Sequence, residues 1–148
     1  MDVRIRDAVP DDVRDVIAVF HASRSVAMPW LPVLHTPEED LAFFSAQLAS
    51  GSAWSAVNDQ SLAGFAICTP GWLDHLYVRP DMQGHGVGSA LLSRAMDDQP
   101  DGLDLWVFAR NTPARSFYAR RGFVDVRSTD GQLNEERKPD VLMRWSGA

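Results

Sequence analysis

Three glycines at alternate positions, Gly84, Gly86 and Gly88, stand where an apolar run gives way to a helical pattern. The segment reads Leu76-Tyr77-Val78-Arg79-Pro80-Asp81-Met82-Gln83-Gly84-His85-Gly86-Val87-Gly88-Ser89. A strand that ends at Val78 and passes through such a turn into a helix builds a cradle for phosphate or pyrophosphate. Glycines let the main chain approach a ligand with no Cβ in the way. The first N–H groups of the helix have no intrahelical partners and lie at the positive end of its dipole. Spacing excludes two other phosphate loops. A P-loop needs Lys and then Ser or Thr after its last glycine, and here Gly88 is followed by Ser89 and Ala90. A dinucleotide fingerprint needs Gly-x-Gly-x-x-Gly inside a parallel βαβ unit, which the Gly84-His85-Gly86-Val87-Gly88 spacing does not supply. Taken alone, the turn is equally compatible with a structural role.

The elements around this turn are legible from hydrophobic period and punctuation. Val3 and Ile5 alternate with Arg4 and Arg6 as a first strand. Pro10-Asp11-Asp12 opens a helix whose Val13, Val16, Ile17 and Phe20 share one face. Met28-Pro29-Trp30-Leu31-Pro32 reads as a loop. Thr36-Pro37-Glu38-Glu39 predicts a second helix start with a capping box, and Gly51 its end. Residues 54–57, 62–68 and 72–78 predict an antiparallel meander with turns at Asn58-Asp59 and Pro70-Gly71. A helix over 86–97, a nearly all-apolar central strand over 103–109, a helix from Thr112 to Gly122 and strands over 123–126 and 141–145 complete the order. The result is a single α/β domain over residues 1–148: a mixed, mostly antiparallel sheet of six or seven strands flanked by four helices.

Composition narrows the function. The 148 residues carry 14 basic and 20 acidic side chains, a formal net charge of -6, which is the reverse of a nucleic-acid binder. No run approaches the roughly 20 apolar residues of a membrane span, and Met1-Asp2-Val3-Arg4 leads into further charges rather than a secretory leader. Cys68 is the only cysteine, which fits a reducing cytoplasm and reads as a small core residue. The four histidines His21, His35, His75 and His85 show no metal-ligand spacing, so no metal is expected.

Gln83-Gly84-His85-Gly86-Val87-Gly88 resembles the Gln/Arg-x-x-Gly-x-Gly/Ala signature of the Gcn5-related N-acetyltransferases. Downstream, Asn111-Thr112-Pro113-Ala114-Arg115-Ser116-Phe117-Tyr118-Ala119-Arg120-Arg121-Gly122-Phe123 is similar to that family's Asn-x-x-Ala-x-x-Phe-Tyr…Gly-Phe segment. The resemblance implies acetyl-CoA as donor, held in a V-shaped opening between the fourth and fifth strands. It places the main chain of Leu76, Tyr77 and Val78 along the pantetheine arm. The amides from Gly84 through His85, Gly86, Val87 and Gly88 to Ser89 would hold the pyrophosphate, with Gln83 opening the motif and Asn111 touching the arm from the other side. Tyr118 matches the usual general acid. A phenol is protonated at neutral pH and can donate to a departing thiolate. Its spacing with Ala114, Phe117 and Arg121 equally suits a packed core tyrosine. Homodimers are common in that family, though no interface is marked in the sequence.

The family's usual glutamate bases correspond here to Trp72 and Trp106. Strand alternation places Asp74 on the face of Trp72, which makes Asp74 the substitute base, with a plain salt bridge or solvated carboxylate as the alternative. His75 falls on the opposite face and is the weaker candidate. Glu135 and Glu136, in the late polar loop 130–140, are expected to recognise a cationic amine, or else to sit on a solvated hairpin tip. Trp30, Trp72 and Trp106 would add cation–π contacts, or serve as packing anchors. The leading reading is an acetyl-CoA-dependent N-acetyltransferase acting on a primary amine of a small molecule. An acyl-CoA-binding sensor with little turnover, and a protein or peptide N-acetyltransferase, stand as alternatives.

Overall fold

The chain enters its first helix through a buried carboxylate. Asp12 accepts two hydrogen bonds from the Arg6 guanidinium, at 2.8 and 2.9 Å, one from the Val9 amide at 2.9 Å and one from the Ser55 hydroxyl at 2.9 Å. The Arg6 fork leads the interactions that hold this carboxyl below the usual range. One side chain thus joins the first strand, the helix start and the second strand, so the proline and acids expected to open the helix also anchor it.

In this computed structural model residues 2–59 and 61–148 are described; Met1, where the charged N-terminus begins, lies outside them. The elements are β1 (Arg4–Asp7), α1 (Val13–Ala27), α2 (Pro37–Ser50), β2 (Ser52–Asn58), β3 (Ser61–Thr69), β4 (Trp72–Val78), α3 (Val87–Asp98), β5 (Leu103–Phe108), α4 (Thr112–Ala119), β6 (Val124–Thr129) and β7 (Asp140–Trp145). The α2 capping box is complete, with Thr36 N–H donating to Glu39 Oε1 at 2.8 Å and Glu39 N–H to Thr36 Oγ1 at 3.1 Å. Gly51 ends α2 in an extended conformation, and a Cβ there would meet the Cys68 carbonyl oxygen at 2.7 Å. No helix among the described residues is long and apolar enough to cross a membrane.

The strands form one seven-stranded sheet in the order β1-β2-β3-β4-β5-β7-β6. Of its pairings only β4 with β5 is parallel, and that pairing has a single rung, Trp72 with Asp104. The architecture is therefore the mixed, mostly antiparallel sheet with four flanking helices that the sequence predicts. The α3 and α4 face packs Leu91, Leu92, Ala95 and Tyr118 against Ala63, Ala66, Leu105 and Met143. The α1 and α2 face packs Val16, Val19 and Phe44 against Phe65 and Ile67. β5 is an interior strand, as its apolar run suggested, but that run is not buried on both faces. Leu103, Leu105 and Val107 are buried, whereas Trp106 is 42% exposed and lies under Arg127 of β6.

His75 sits in the second of these cores. Its ring lies among Phe20, Phe43, Phe44, Phe65 and Tyr77, with centroid separations from 5.4 to 6.5 Å. Burial, aided by Arg24, pulls its pKa down to about 4. An unfolded chain protonates this imidazole near its ordinary value of about 6.5. Between those two values the unfolded state binds the extra proton, so the fold loses stability as pH falls. Denaturant titrations at pH 7.5 and pH 5 are expected to differ by about 2 kcal/mol from this group. His75→Phe, which suits the aromatic surroundings, should remove that part of the difference; an unchanged pH dependence in the variant would refute the assignment.

Candidate active site

The glycine turn has the geometry of an anion cradle. Gly84 and Gly86 both adopt φ of +81°, in the left-handed region, and a Cβ on either would meet nothing within 4 Å. Glycine is required there by backbone conformation, and the space above it is open. Gly86 caps α3, so the amides of Val87, Gly88 and Ser89 open its first turn. Gln83 closes the turn by donating from Nε2 to the Val78 carbonyl at 3.3 Å. Gly88 packs against the edge of the Phe117 ring, which a Cβ would meet at 3.4 Å. Arg121 lies over that same ring at 3.9 Å, donates to the Phe117 carbonyl at 3.0 Å and donates to the Ser89 hydroxyl. A cation thus stands at the start of α3. Sequence reading assigned Arg121 only a helical spacing; its placement depends on α4 crossing beside α3, which no local pattern reveals.

Beyond the rung at Trp72 and Asp104, β4 and β5 part. Leu76 and Val78 pack toward the α3 side, and Tyr77 toward α1 and α2. Tyr118 lies in the core on the α3 side, 8% exposed, with Phe117 and Phe123 edge-on at 5.2 and 5.4 Å. Burial, reinforced by Tyr77 and Cys68, raises its pKa far above the ordinary phenol value, so it holds its proton. Asn111 caps α4, its Oδ1 accepting from the Ala114 amide at 3.4 Å, and its Nδ2 donates to Met28 Sδ at 3.5 Å. Its side chain therefore joins α4 to the end of α1. Cys68 is buried and its thiol is pushed up to about 12, chiefly by burial, which makes it inert at neutral pH.

On the α1 and α2 side of β4 lies a cavity of about 640 Å³. Its walls include Phe20, Phe43, Phe44 and Tyr77, together with Arg24, His21, His35 and five carboxylates: Glu39, Asp40, Asp74, Glu135 and Glu136. Strict alternation would place Asp74 and His75 on opposite faces. The structure corrects this. Ile67 pairs with His75 and Cys68 with Leu73, so Asp74 is the extra residue of a β-bulge. The bulge re-aims it, and Asp74 and His75 both line the cavity.

Four of the five carboxylates have a histidine or arginine neighbour within the chain. Asp40 meets His21 Nε2 at 2.7 Å, Glu135 meets His35 Nε2 at 3.0 Å, Glu136 accepts from Arg24 at 3.3 Å, and Glu39 lies 3.9 Å from His35. Hydrogen bonding to Glu135 raises the His35 pKa. Glu135 and Glu136 thus line the cavity as expected, but as tethers between the β6–β7 loop and the α1–α2 segment rather than as free anions. Asp74 accepts only from the Thr69 hydroxyl, at 2.7 Å, among the described side-chain bonds. Trp30, Trp72 and Trp106 are not among the cavity's lining residues. Arg110 lies over Trp30 at 4.5 Å and Arg127 over Trp106 at 5.4 Å, so the chain's own arginines occupy those rings. Sequence reading missed Arg24 and Phe43 as cavity residues. The helical period of α1 and α2 was visible, but not which residues at the margin of each apolar face would border a void.

Comparisons with known proteins bear on the family and the fold. A family model described as "Acetyltransferase (GNAT) domain" matches residues 49–125. The chain is 32% identical to "Peptidyl-lysine N-acetyltransferase YjaB" of Salmonella typhimurium, with 97% of each chain covered. It is 28% identical to "Probable N-acetyltransferase Rv2775" of Mycobacterium tuberculosis, over 86% of this chain and 83% of that one. Among solved structures, apo-form YjaB of Escherichia coli superposes with a TM-score of 0.81 at 24% identity, covering all of both chains. The PaiA N-acetyltransferase of Thermoplasma acidophilum, solved in complex with coenzyme A, gives 0.77 at 21% identity, over 99% of each chain. These two likenesses establish a common fold. With the family model spanning α2's last turn to β6 and a relative matched nearly end to end, the chain belongs to the Gcn5-related N-acetyltransferase (GNAT) family.

Proposed function

We propose that this acetyltransferase moves the acetyl group of acetyl-CoA to a primary amine of a small molecule bound in the cavity beside β4, in the cytoplasm. The observation that carries the reading is the position of β4 itself, with the anion cradle at its C-terminal end and the amine-sized cavity on its α1–α2 face. The chain's residues fit the cosubstrate. The open edge of β4 near Leu76, Tyr77 and Val78 offers main-chain groups to an amide-bearing arm. The glycines with open space above them, the first-turn amides of α3 and Arg121 suit a pyrophosphate. Bound acetyl-CoA supplies an acyl thioester, whose sulfur leaves as a thiolate.

Each titratable group then has a task. An amine arrives protonated, and Asp74 is the carboxylate of the cavity that lies outside the described ion pairs. Asp74 holds the ammonium and relays its proton to water from its exposed edge, leaving the free amine to attack. Neutral His75 borders the same space and adds no competing positive charge. Tyr118 keeps its proton until the thiolate departs and then donates it. The small-molecule reading rests on a partly open cavity with an aromatic wall of Phe20, Phe43, Phe44 and Tyr77. A second reading, acetylation of a lysine side chain on a protein, is favoured by the names of the YjaB relatives.

Release of CoA thiol in the presence of polyamines, aminoglycosides, amino acids, aryl amines and lysine peptides tests both readings. A free amine acetylated well above the no-acceptor rate supports the first, and turnover confined to peptides selects the second. With the acceptor that emerges, Asp74→Asn should lower kcat/KM about tenfold or more below pH 8, with an unchanged melting temperature. Full activity in that variant would remove Asp74 from the mechanism.

Tyr118→Phe is the companion experiment. It should lower kcat about a hundredfold, while the affinity for acetyl-CoA, measured by calorimetry, changes less than about threefold. A loss of affinity equal to the loss of rate would mean that the tyrosine packs and does not donate.

A further inference from the structure

A single large apolar side chain in water needs no explanation, but several around one opening mark a binding surface. Val33, Leu34 and Phe43 are 80, 46 and 48% exposed, and all three line the cavity beside β4. Val33 and Leu34 lie between α1 and α2, and Phe43 lies on α2. Phe43 is held from behind. Its ring meets Phe44 edge-on at 5.0 Å and His75 edge-on at 5.8 Å. Nearly half of the residue is left open, so the ring forms a supported apolar shelf. Neutral His75 puts no charge beside it.

The opposite chemistry stands next to this shelf. His75 follows Asp74 directly in β4, and both line the cavity. The Asp74 carboxylate is exposed, and among the described side-chain bonds it accepts only from the Thr69 hydroxyl. An accessible carboxylate therefore lies one residue from the ring that supports Phe43. We propose that Phe43 is a specificity residue and that the acceptor is a small primary amine with an apolar tail, an alkyl or arylalkyl amine. Charge complementarity sets its direction: the ammonium goes to Asp74 and the tail covers Phe43 and Leu34. A charged group at the end of the tail would lose water against the shelf with nothing in exchange. This rests on the acetyltransferase reading above and narrows its substrate class.

Hexylamine and cadaverine test this directly. They have the same length and differ at one end, a methyl group in the first and a second ammonium in the other. With the full chain and acetyl-CoA, hexylamine should show kcat/KM about tenfold or more above cadaverine. From ethylamine to hexylamine the value should rise about threefold per added methylene. Phe43→Ala should cost hexylamine and phenethylamine about tenfold and leave ethylamine within about threefold. Phe43→Leu, which keeps an apolar surface, should recover most of that loss. Leu34→Ser, at an exposed position between the helices, should lower the same two amines several-fold and covers the case in which Phe43→Ala fails to fold.

Cadaverine turned over as well as hexylamine overturns the proposal, because the carboxylates of the cavity then choose the acceptor. So does a flat series from ethylamine to hexylamine, turnover confined to lysine peptides, or a Phe43→Ala loss that is equally large for ethylamine. Sedimentation that finds the wild-type chain dimeric and Phe43→Ser monomeric assigns these side chains to a second copy and also overturns it. If no amine is acetylated, the functional reading fails by itself. Calorimetric titration of hexylamine, ethylamine and cadaverine with CoA present then decides the recognition question, and equal affinities overturn it.

Discussion

Two parallel strands that share one rung and then separate set the terms for the whole molecule. β4 and β5 pair at Trp72 and Asp104, and the Asp104 amide donates to the Gly71 carbonyl at 2.8 Å just beside that rung. Past that point β5 is held by β7 through six paired residues, and β4 by β3. Neither strand needs the other, so the gap does not unravel the sheet. A continuous parallel pairing would seal the main-chain groups that an amide-bearing arm must reach.

The acceptor side is assembled differently. The α1–α2 segment meets the β6–β7 loop through Arg24 with Glu136 and His35 with Glu135, and meets the start of α4 through Met28 and Asn111. These are polar contacts between segments roughly a hundred residues apart in sequence. The His35–Glu135 pair is exposed, and exposed pairs contribute little to stability. Arg24 and Glu136 are instead largely buried, with 20% and 14% of their side chains exposed, so solvent screens that pair much less.

The cradle was legible because everything it needs is local. A strand end, glycines at alternate positions and a helix start lie within fourteen consecutive residues, and backbone conformation demands glycine at Gly84 and Gly86. The element order was equally legible, since caps such as Thr36 with Glu39 satisfy themselves within one turn. The acceptor residues were not. One extra residue in β4 sends Asp74 and His75 to the same cavity, and alternation assigns every side chain beyond an unseen bulge to the wrong side. Glu135 and Glu136 were placed near the acceptor on fold position, but their partners Arg24 and His35 lie in the first quarter of the chain, beyond the reach of any spacing rule. Trp106 was credited with a ligand's cation, and Arg127 on β6 fills that position.

Burial does the chemical sorting around β4. On one face it raises the Tyr118 phenol and the Cys68 thiol, and on the other it lowers His75. All three groups are driven to their neutral forms by the same loss of water. The consequences differ with the group. A neutral thiol is chemically silent, a neutral phenol is a proton donor in waiting, and a neutral imidazole adds no charge beside Asp74, the cavity carboxylate outside the described ion pairs. Asp74 stands apart from these three because the bulge carries it to an exposed position. The same irregularity that defeats strand alternation thus sets a carboxylate in an exposed position beside a dry aromatic core.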